Sequence, residues 1–208
     1  MLAVLEVQLL ALLVVLALVV GFSLGHGLRS ASRETRKVVA KRDPGRWSEA
    51  LWLAGSLLSA FWSVGVLLLP SYTYRWPAFP DFPYSSALQG LGFLVALCGG
   101  ILFSVATRTL GRHMTVAIQV QEGHRLIRDG PYRYVRHPLY TAIVTSTFGL
   151  SLLYLSIVVA LDAVLLIGLA IYRARLEESL LGSPQAFGQE YAEYVARSGR
   201  FLPRFRGK

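Results

Sequence analysis

The sequence predicts an all-α, polytopic membrane protein with five transmembrane helices. The chain has 208 residues and is 54% hydrophobic, a composition that favours a membrane protein over a soluble domain. Its basic residues are concentrated after the first, third and fourth of its apolar blocks. Those four blocks contain very few charges and occupy residues 2–25, 50–70, 85–107 and 139–172.

The first three blocks each fit one membrane crossing, since about 20 apolar residues cross a hydrocarbon core of roughly 30 Å. No basic residue precedes the first block, which is also too long for a signal peptide, so it is interpreted as a retained span. Spans 2–25 and 50–70 form an N-terminal region, residues 1–85. The third span, 86–107, begins the predicted core, residues 86–208.

The fourth block is too long for one crossing and is predicted to be a helical hairpin. Its two helices are placed at 139–154 and 156–173, with the turn near Leu155–Ser156. All of the 21 lysines and arginines except Arg75 then lie on one face. This places the N-terminus outside and the C-terminus in the cytoplasm, in the cell (inner) membrane. The net charge of +9 is therefore a topology signal and does not indicate nucleic-acid binding.

Several features outside the cytoplasmic core predict local structure. The basic loop 26–49 is interpreted as a solvated linker, and loop 70–84, rich in proline and aromatic residues, as a lip in the membrane interface. Gly99 and Gly100 favour close helix approach within the third span. Asp162, inside the last span, is predicted to make a structural hydrogen bond to a neighbouring helix.

Two cytoplasmic segments, the loop 108–138 and the cap 174–208, carry most of the remaining polar chemistry. The alternation in TVAIQVQ indicates a strand, and Pro138 is predicted to begin the fourth span while keeping His137 extended. The cap is predicted to contain a short amphipathic helix. Arginines, histidines, tyrosines and carboxylates in these segments indicate a polar ligand pocket. The four histidines form no i,i+4 pair and have no cysteine nearby, so no metal site is expected.

The same segments contain two motifs with a recognisable order. The first comprises Gly123-His124, Leu126-Ile127, Gly130-Pro131-Tyr132-Arg133 and Arg136-His137-Pro138-Leu139-Tyr140; the second comprises Glu177-Glu178, Phe187-Gly188, Tyr191, Tyr194 and Arg197. Over roughly residues 90–203, they resemble the isoprenylcysteine carboxyl methyltransferase and phospholipid methyltransferase superfamily. Two positions depart from the family pattern: Ala142 replaces a glycine, and Arg112-His113 follows Leu110-Gly111 where a tryptophan is usual.

The resemblance implies an S-adenosylmethionine-dependent integral-membrane methyltransferase. Its cofactor pocket is closed by the C-terminal segment, and its lipophilic substrate enters from the bilayer between helices; a monomer is compatible with this organisation. The residues implied at the cofactor are His124, Leu126, Gly130, Tyr132, His137, Tyr140, Glu178 and Tyr191. The residues implied at the reacting end of the substrate are Arg136, Glu177 and Arg197.

The sequence leaves the acceptor open among a carboxylate, an amine and a thiol. Glu177 or Glu178 suits an amine, which it would orient or deprotonate, whereas an arginine suits a carboxylate. A membrane NADPH-dependent sterol-type reductase is an alternative, although Leu139, Ala142 and Ile143 replace the residues typical of that class. A non-catalytic protein that retains the fold is a second alternative.

Overall fold

A computed structural model describes residues 2–30, 37–74, 82–113 and 117–204. The chain is mostly helical, with 73% helix, which confirms the predicted class. The helices in the described residues are α1 (Val4–Ser30), α2 (Arg46–Leu68), α3 (Pro70–Thr73), α4 (Ser85–Leu110), α5 (Pro138–Tyr154), α6 (Ile157–Leu181) and α7 (Gly188–Arg197). Two short strands, β1 (Val38–Lys41) and β2 (Gln119–Gln121), pair antiparallel.

Three of the described helices, α2, α4 and α6, are long and apolar enough to cross a membrane. They contain 23, 26 and 25 residues, which correspond to roughly 35–39 Å at 1.5 Å per residue. The protein is therefore an integral membrane protein. Five crossings and the orientation of the termini remain predictions, since the apolar part of α1 and the 17-residue α5 are shorter.

The predicted hairpin turn between the last two long helices is confirmed. Helix α5 ends at Tyr154, and Leu155 adopts a left-handed conformation with a φ of 49°. The Ser156 side chain then caps α6 by accepting a hydrogen bond from the Val159 backbone at 3.5 Å. A reversal in two residues brings α5 and α6 side by side.

Helices α4 and α5 approach each other closely because small residues line their contact. A Cβ atom added at Gly149 would lie 2.3 Å from the backbone nitrogen of Ala96, and one at Gly99 would lie 2.4 Å from Ser146 Oγ. This confirms the predicted close approach at Gly99. Ala142, at a position where the family has glycine, is fully buried in the same contact, with its carbonyl oxygen beside Gly99, and does not line the cavity described below.

A buried polar contact joins α2 to α6. Ser59 Oγ donates to Asp162 Oδ2 at 2.6 Å, and Asp162 is 3% exposed. The predicted structural hydrogen bond of Asp162 is thereby confirmed. Gly55 permits the approach, since a Cβ there would lie 2.7 Å from Asp162 Oδ1.

The interpretation of residues 26–49 as only a solvated linker was wrong. Helix α1 continues to Ser30, and β1 pairs with β2, so that Ala40 lies opposite Val120. The strand predicted in TVAIQVQ is confirmed over residues 119–121. Within the predicted lip at 70–84, α3 covers Pro70–Thr73, while residues 75–81 lie outside the described residues.

The tight α4–α5 contact predicts that Gly149→Val destabilises the protein. The added side chain meets the α4 backbone, which cannot move aside, so we expect the thermal midpoint in detergent to fall by roughly 5–10 °C. Gly168→Val on α6 is the matched control, because no described atom lies within 4 Å of a Cβ there. Equal midpoints for the two variants would contradict this packing.

Candidate active site

A short turn before α5 places the central motif at one end of the helix bundle. Gly130 has a φ of 54° and begins a 3-10 turn over Gly130–Arg133. Pro138 is the first residue of α5, and His137 precedes it with a φ of −121°. With a ψ of 57°, His137 lies outside the helical region, as predicted, but its backbone is not extended, and that part of the prediction was wrong. The side chains in the first turns of α5 point towards the space between α2, α5 and α6.

This end of the bundle encloses a cavity of about 260 Å³. Its wall is formed by α2, α4, α5, α6, α7 and the loop between α4 and α5. Apolar and aromatic residues form much of the wall, and a few polar groups converge on it, which is typical of small-molecule sites. The polar and aromatic members used below are Trp52, His124, Tyr132, Arg136, His137, Tyr140, Arg173, Glu177, Tyr191 and Tyr194.

Glu178 forms an ion-pair cluster just behind this wall. Its Oε1 accepts from Arg136 Nε at 3.1 Å and lies 3.3 Å from His137 Nε2. Its Oε2 accepts from Arg200 Nη2 at 2.5 Å. The carboxylate is largely buried, with 14% side-chain exposure, and three cations surround it. These contacts join α6 to the segment before α5 and to the C-terminal end of the chain.

The residues after α7 form a C-terminal strap, defined here as residues 198–201. The strap lies parallel to the segment before α5: the backbone nitrogens of Arg136 and His137 donate to the carbonyls of Gly199 at 2.8 Å and Arg200 at 3.1 Å. Thr141 Oγ1 donates to the Phe201 carbonyl at 3.0 Å. The strap is thus fixed by backbone hydrogen bonds as well as by Glu178.

His137 lies between two carboxylates and is 5% exposed. Its Nδ1 is 3.2 Å from Glu177 Oε2, and its Nε2 is 3.3 Å from Glu178 Oε1. Burial alone lowers the pKa of His137, but the hydrogen bonds to Glu177 and Glu178 and their charges outweigh it. The pKa of His137 is therefore raised above 6.5. The imidazolium form is favoured because both ring nitrogens then donate.

A second polar chain runs along the cavity wall. Arg173 is 2% exposed, and its Nε donates to the Tyr140 hydroxyl at 3.4 Å. The Tyr140 hydroxyl in turn donates to Glu177 Oε1. The Arg173 guanidinium also lies 5.8 Å from the centre of the Trp52 ring, within range of a cation–π contact. A buried cation and a carboxylate are therefore held on one wall.

The tyrosines of α7 differ in their hydrogen bonding. The Tyr194 hydroxyl donates to the Tyr132 carbonyl at 2.6 Å and fixes α7 to the turn before α5. The Tyr191 hydroxyl is buried and has no hydrogen-bond partner within the described ranges, although Tyr191 lines the cavity. Burial raises the pKa of Tyr191, so its hydroxyl is a protonated donor. A buried hydroxyl on a cavity wall can donate a hydrogen bond to a molecule that occupies the cavity.

His124 reaches the cavity while its nitrogens contact the loop backbone. The Gln121 backbone nitrogen donates to His124 Nδ1 at 3.3 Å, which assigns the ring proton to Nε2. Nε2 then donates to the His113 carbonyl at 3.1 Å, and the two imidazole rings stack at 5.1 Å. His124 therefore offers the cavity its ring surface, and these two bonds hold the loop in shape.

The structure brings together most of the residues predicted from the sequence. Those that line the cavity are His124, Leu126, Tyr132, Arg136, His137, Tyr140, Glu177 and Tyr191. Three others do not line it. Gly130 shapes the turn, where a Cβ would lie 2.8 Å from Thr109 Oγ1, and Glu178 lies behind the wall. The Arg197 side chain is exposed at the end of α7.

Sequence reasoning missed three residues of this region. In the sequence, Arg173 is one of the many basic residues on the predicted cytoplasmic face, yet it precedes Glu177 by one helical turn, and that spacing places both on one face of α6. Arg200 lies outside both motifs, and it pairs with Glu178. Trp52 comes from α2, and nothing in its apolar block distinguishes it from a lipid-facing tryptophan.

The fold and the site together define an integral membrane protein with a largely apolar cavity, on which a few polar groups converge, at one end of its helix bundle. The sequence model of the isoprenylcysteine carboxyl methyltransferase (ICMT) family matches residues 91–183, which include most of the cavity wall. Residues 91–183 are therefore similar to this family, and the matches support a methyltransferase of the ICMT type. The family resemblance inferred from the two motifs is confirmed.

Curated relatives agree with this assignment. Protein-S-isoprenylcysteine O-methyltransferase B of Arabidopsis thaliana is 28% identical over 155 residues, which cover 73% of this chain and 78% of that protein. The Homo sapiens protein-S-isoprenylcysteine O-methyltransferase is 25% identical over 158 residues, covering 75% of this chain and 49% of the human protein. These matches favour the methyltransferase over the reductase and the non-catalytic alternative.

The position of His137 predicts a specific pH dependence of stability. Because the folded pKa is raised above 6.5, the stabilisation from His137 is complete below pH 6.5 and is lost as the pH rises through the folded pKa. We expect the thermal midpoint to decrease over this alkaline range, and His137→Gln to lack that decrease. If His137→Gln retained the wild-type dependence of the thermal midpoint on pH, a group other than His137 would be its cause.

Proposed function

We propose that this protein transfers a methyl group from S-adenosylmethionine to the carboxylate of a lipophilic acceptor. The observation that carries the proposal is the buried Arg173, one helical turn before Glu177, on the wall of the cavity. A guanidinium pairs with a carboxylate in a fixed geometry, and burial strengthens that pairing. Of the acceptors left open by the sequence, a carboxylate fits this cation best.

The residues of the cavity fit S-adenosylmethionine. The Tyr191 hydroxyl is a buried donor without a partner in the described part of the chain, so a polar group of a ligand would satisfy it. Leu126 and Ile127 offer apolar contacts for an adenine ring, while the carboxylate of Glu177 suits the cationic end of the molecule. When bound, this cofactor supplies an electrophilic methyl group on a sulfonium.

The protein has mainly to position the acceptor and exclude water. A carboxylate is already an anionic nucleophile at neutral pH, so no base is needed. Its oxygen forms a bond to the methyl carbon, the bond from carbon to sulfur breaks, and sulfur retains the electron pair. The products are a methyl ester and S-adenosylhomocysteine. Alignment of the reacting atoms and exclusion of water can contribute roughly 7–11 kcal/mol to such a reaction.

The names of the relatives narrow the proposed acceptor. The plant and human relatives are protein-S-isoprenylcysteine O-methyltransferases. We infer an acceptor of the same chemical class for this chain: a carboxylate attached to a long apolar thioether that reaches the cavity from the bilayer. We also infer that the cavity lies at the cytoplasmic face, because Lys41, Arg46, Arg108 and Arg175 lie around this end of the bundle. Arg136 and Glu178 then act by holding the wall in place.

Arg173→Gln tests the proposed acceptor. Loss of a charged hydrogen bond costs ~1.5–3 kcal/mol, so we expect kcat/KM for N-acetyl-S-farnesylcysteine to fall about 10- to 150-fold. Binding of S-adenosylhomocysteine should change little. The readouts are methyl-ester formation by the purified protein and calorimetry.

Arg175→Gln is the matched control, because Arg175 is exposed on α6 and does not line the cavity. A loss of S-adenosylhomocysteine binding in Arg173→Gln would assign Arg173 to the cofactor. Full activity of Arg173→Gln would exclude it from the site.

A further inference from the structure

Trp52 has a position that the methyl-transfer chemistry does not explain. Among the described residues of α2, it is the only one that lines the cavity. Its ring meets Tyr140 of α5 edge-on, with the ring centres 5.1 Å apart, and lies beneath Arg173 of α6. One side chain of α2 therefore contacts both α5 and α6 at the cavity wall.

Trp52 lies on a helix whose neighbouring positions are exposed. It is only partly buried, and its neighbours Leu51 and Leu53 are 40% and 60% exposed on a helix apolar enough to cross a membrane. The indole forms the part of the cavity wall that α2 contributes. It lies six residues into α2, roughly 9 Å from the start of the helix.

The volume of the cavity limits how much of the acceptor can lie beside the cofactor. A volume of about 260 Å³ is near the lower end of small-molecule sites, roughly 300–1,000 Å³. The cofactor and the reacting carboxylate fill such a space, so the apolar part of the acceptor has to extend through the wall. Phe103 and Ile143 form the apolar wall on the α4 and α5 side, while Trp52 forms the part on the α2 side.

We propose that Trp52 is the residue that selects the apolar group of the acceptor. The apolar chain packs against the indole where it passes between α2 and α5, and the carboxylate lies next to Arg173. The inference rests on the proposed function, because it assumes an acceptor with a polar reacting end and an apolar tail. Trp52 lies outside residues 91–183, the segment matched by the family. The residue proposed to select the apolar group of the acceptor therefore lies in the N-terminal region of this chain.

Quenching of tryptophan fluorescence tests the contact directly. The probe is N-acetylcysteine carrying a bromoalkyl thioether, added to the full-length protein in lipid nanodiscs. The chain has 4 tryptophans, and bromine quenches only those it approaches. We expect Trp52→Phe to lose most of the quenching seen in the wild type. Trp47→Phe is the matched control, because Trp47 lies on the same helix, is 56% exposed and does not line the cavity.

A kinetic comparison tests the selection itself. Trp52→Ala should change the ratio of kcat/KM between N-acetyl-S-farnesylcysteine and N-acetyl-S-geranylcysteine by about tenfold, the scale at which apolar pockets discriminate chain size. Trp47→Ala should leave the ratio unchanged, and both variants should bind S-adenosylhomocysteine as the wild type does.

The two proposals fail in distinguishable ways. Quenching that is absent from the wild type, or retained in Trp52→Phe, would overturn the role of Trp52 even if methyl transfer is observed. An unchanged ratio of kcat/KM in Trp52→Ala would overturn it as well. A wild-type protein that methylates neither thioether contradicts the proposed acceptor, and the quenching result still decides whether an apolar chain contacts Trp52.

Discussion

The ion pairs of Glu178 are the interaction on which the rest of the site depends. One carboxylate, largely buried, receives Arg136, His137 and Arg200, and so joins α6, the segment before α5 and the C-terminal strap. A buried charge that loses its partners costs ~3–5 kcal/mol, so these elements are held together as one unit. Each of them forms or supports a wall of the cavity, and their separation would open it to water.

In this arrangement the adjacent carboxylates of Glu177 and Glu178 have different roles. Glu178 is used to close the structure, while Glu177 faces the cavity and contacts Tyr140 and His137. His137 touches both carboxylates, and its protonation therefore links the closed strap to the charge on the cavity wall. Arg173 remains a buried cation on the cavity wall. A cation at this position suits a carboxylate acceptor and does not suit an amine.

The parts of the structure that depend on local signals were predictable, and those that depend on distant contacts were not. The turn at 155–156 follows from block length and charge distribution, and the exclusion of His137 from the helix follows from Pro138. The pairing of β1 with β2 joins segments about 80 positions apart, a separation at which local alternation does not specify a partner. Arg197 is predicted at the site because it matches a family motif, whereas nothing in the sequence indicates Arg200. Helix α7 ends at Arg197, and only the strap beyond it turns back to Glu178.

The central claim is that the cavity held closed by Glu178 binds the methyl donor, and calorimetry with S-adenosylhomocysteine tests it most directly. The wild type should bind this product, and Glu178→Gln should weaken binding at least about tenfold, because ~1.4 kcal/mol of the closing energy is enough for that change. Glu190→Gln is the control, since Glu190 pairs with Arg128 at the surface and does not line the cavity. Equal affinity in Glu178→Gln and the wild type, or binding of NADPH with no response to S-adenosylhomocysteine, would contradict the account.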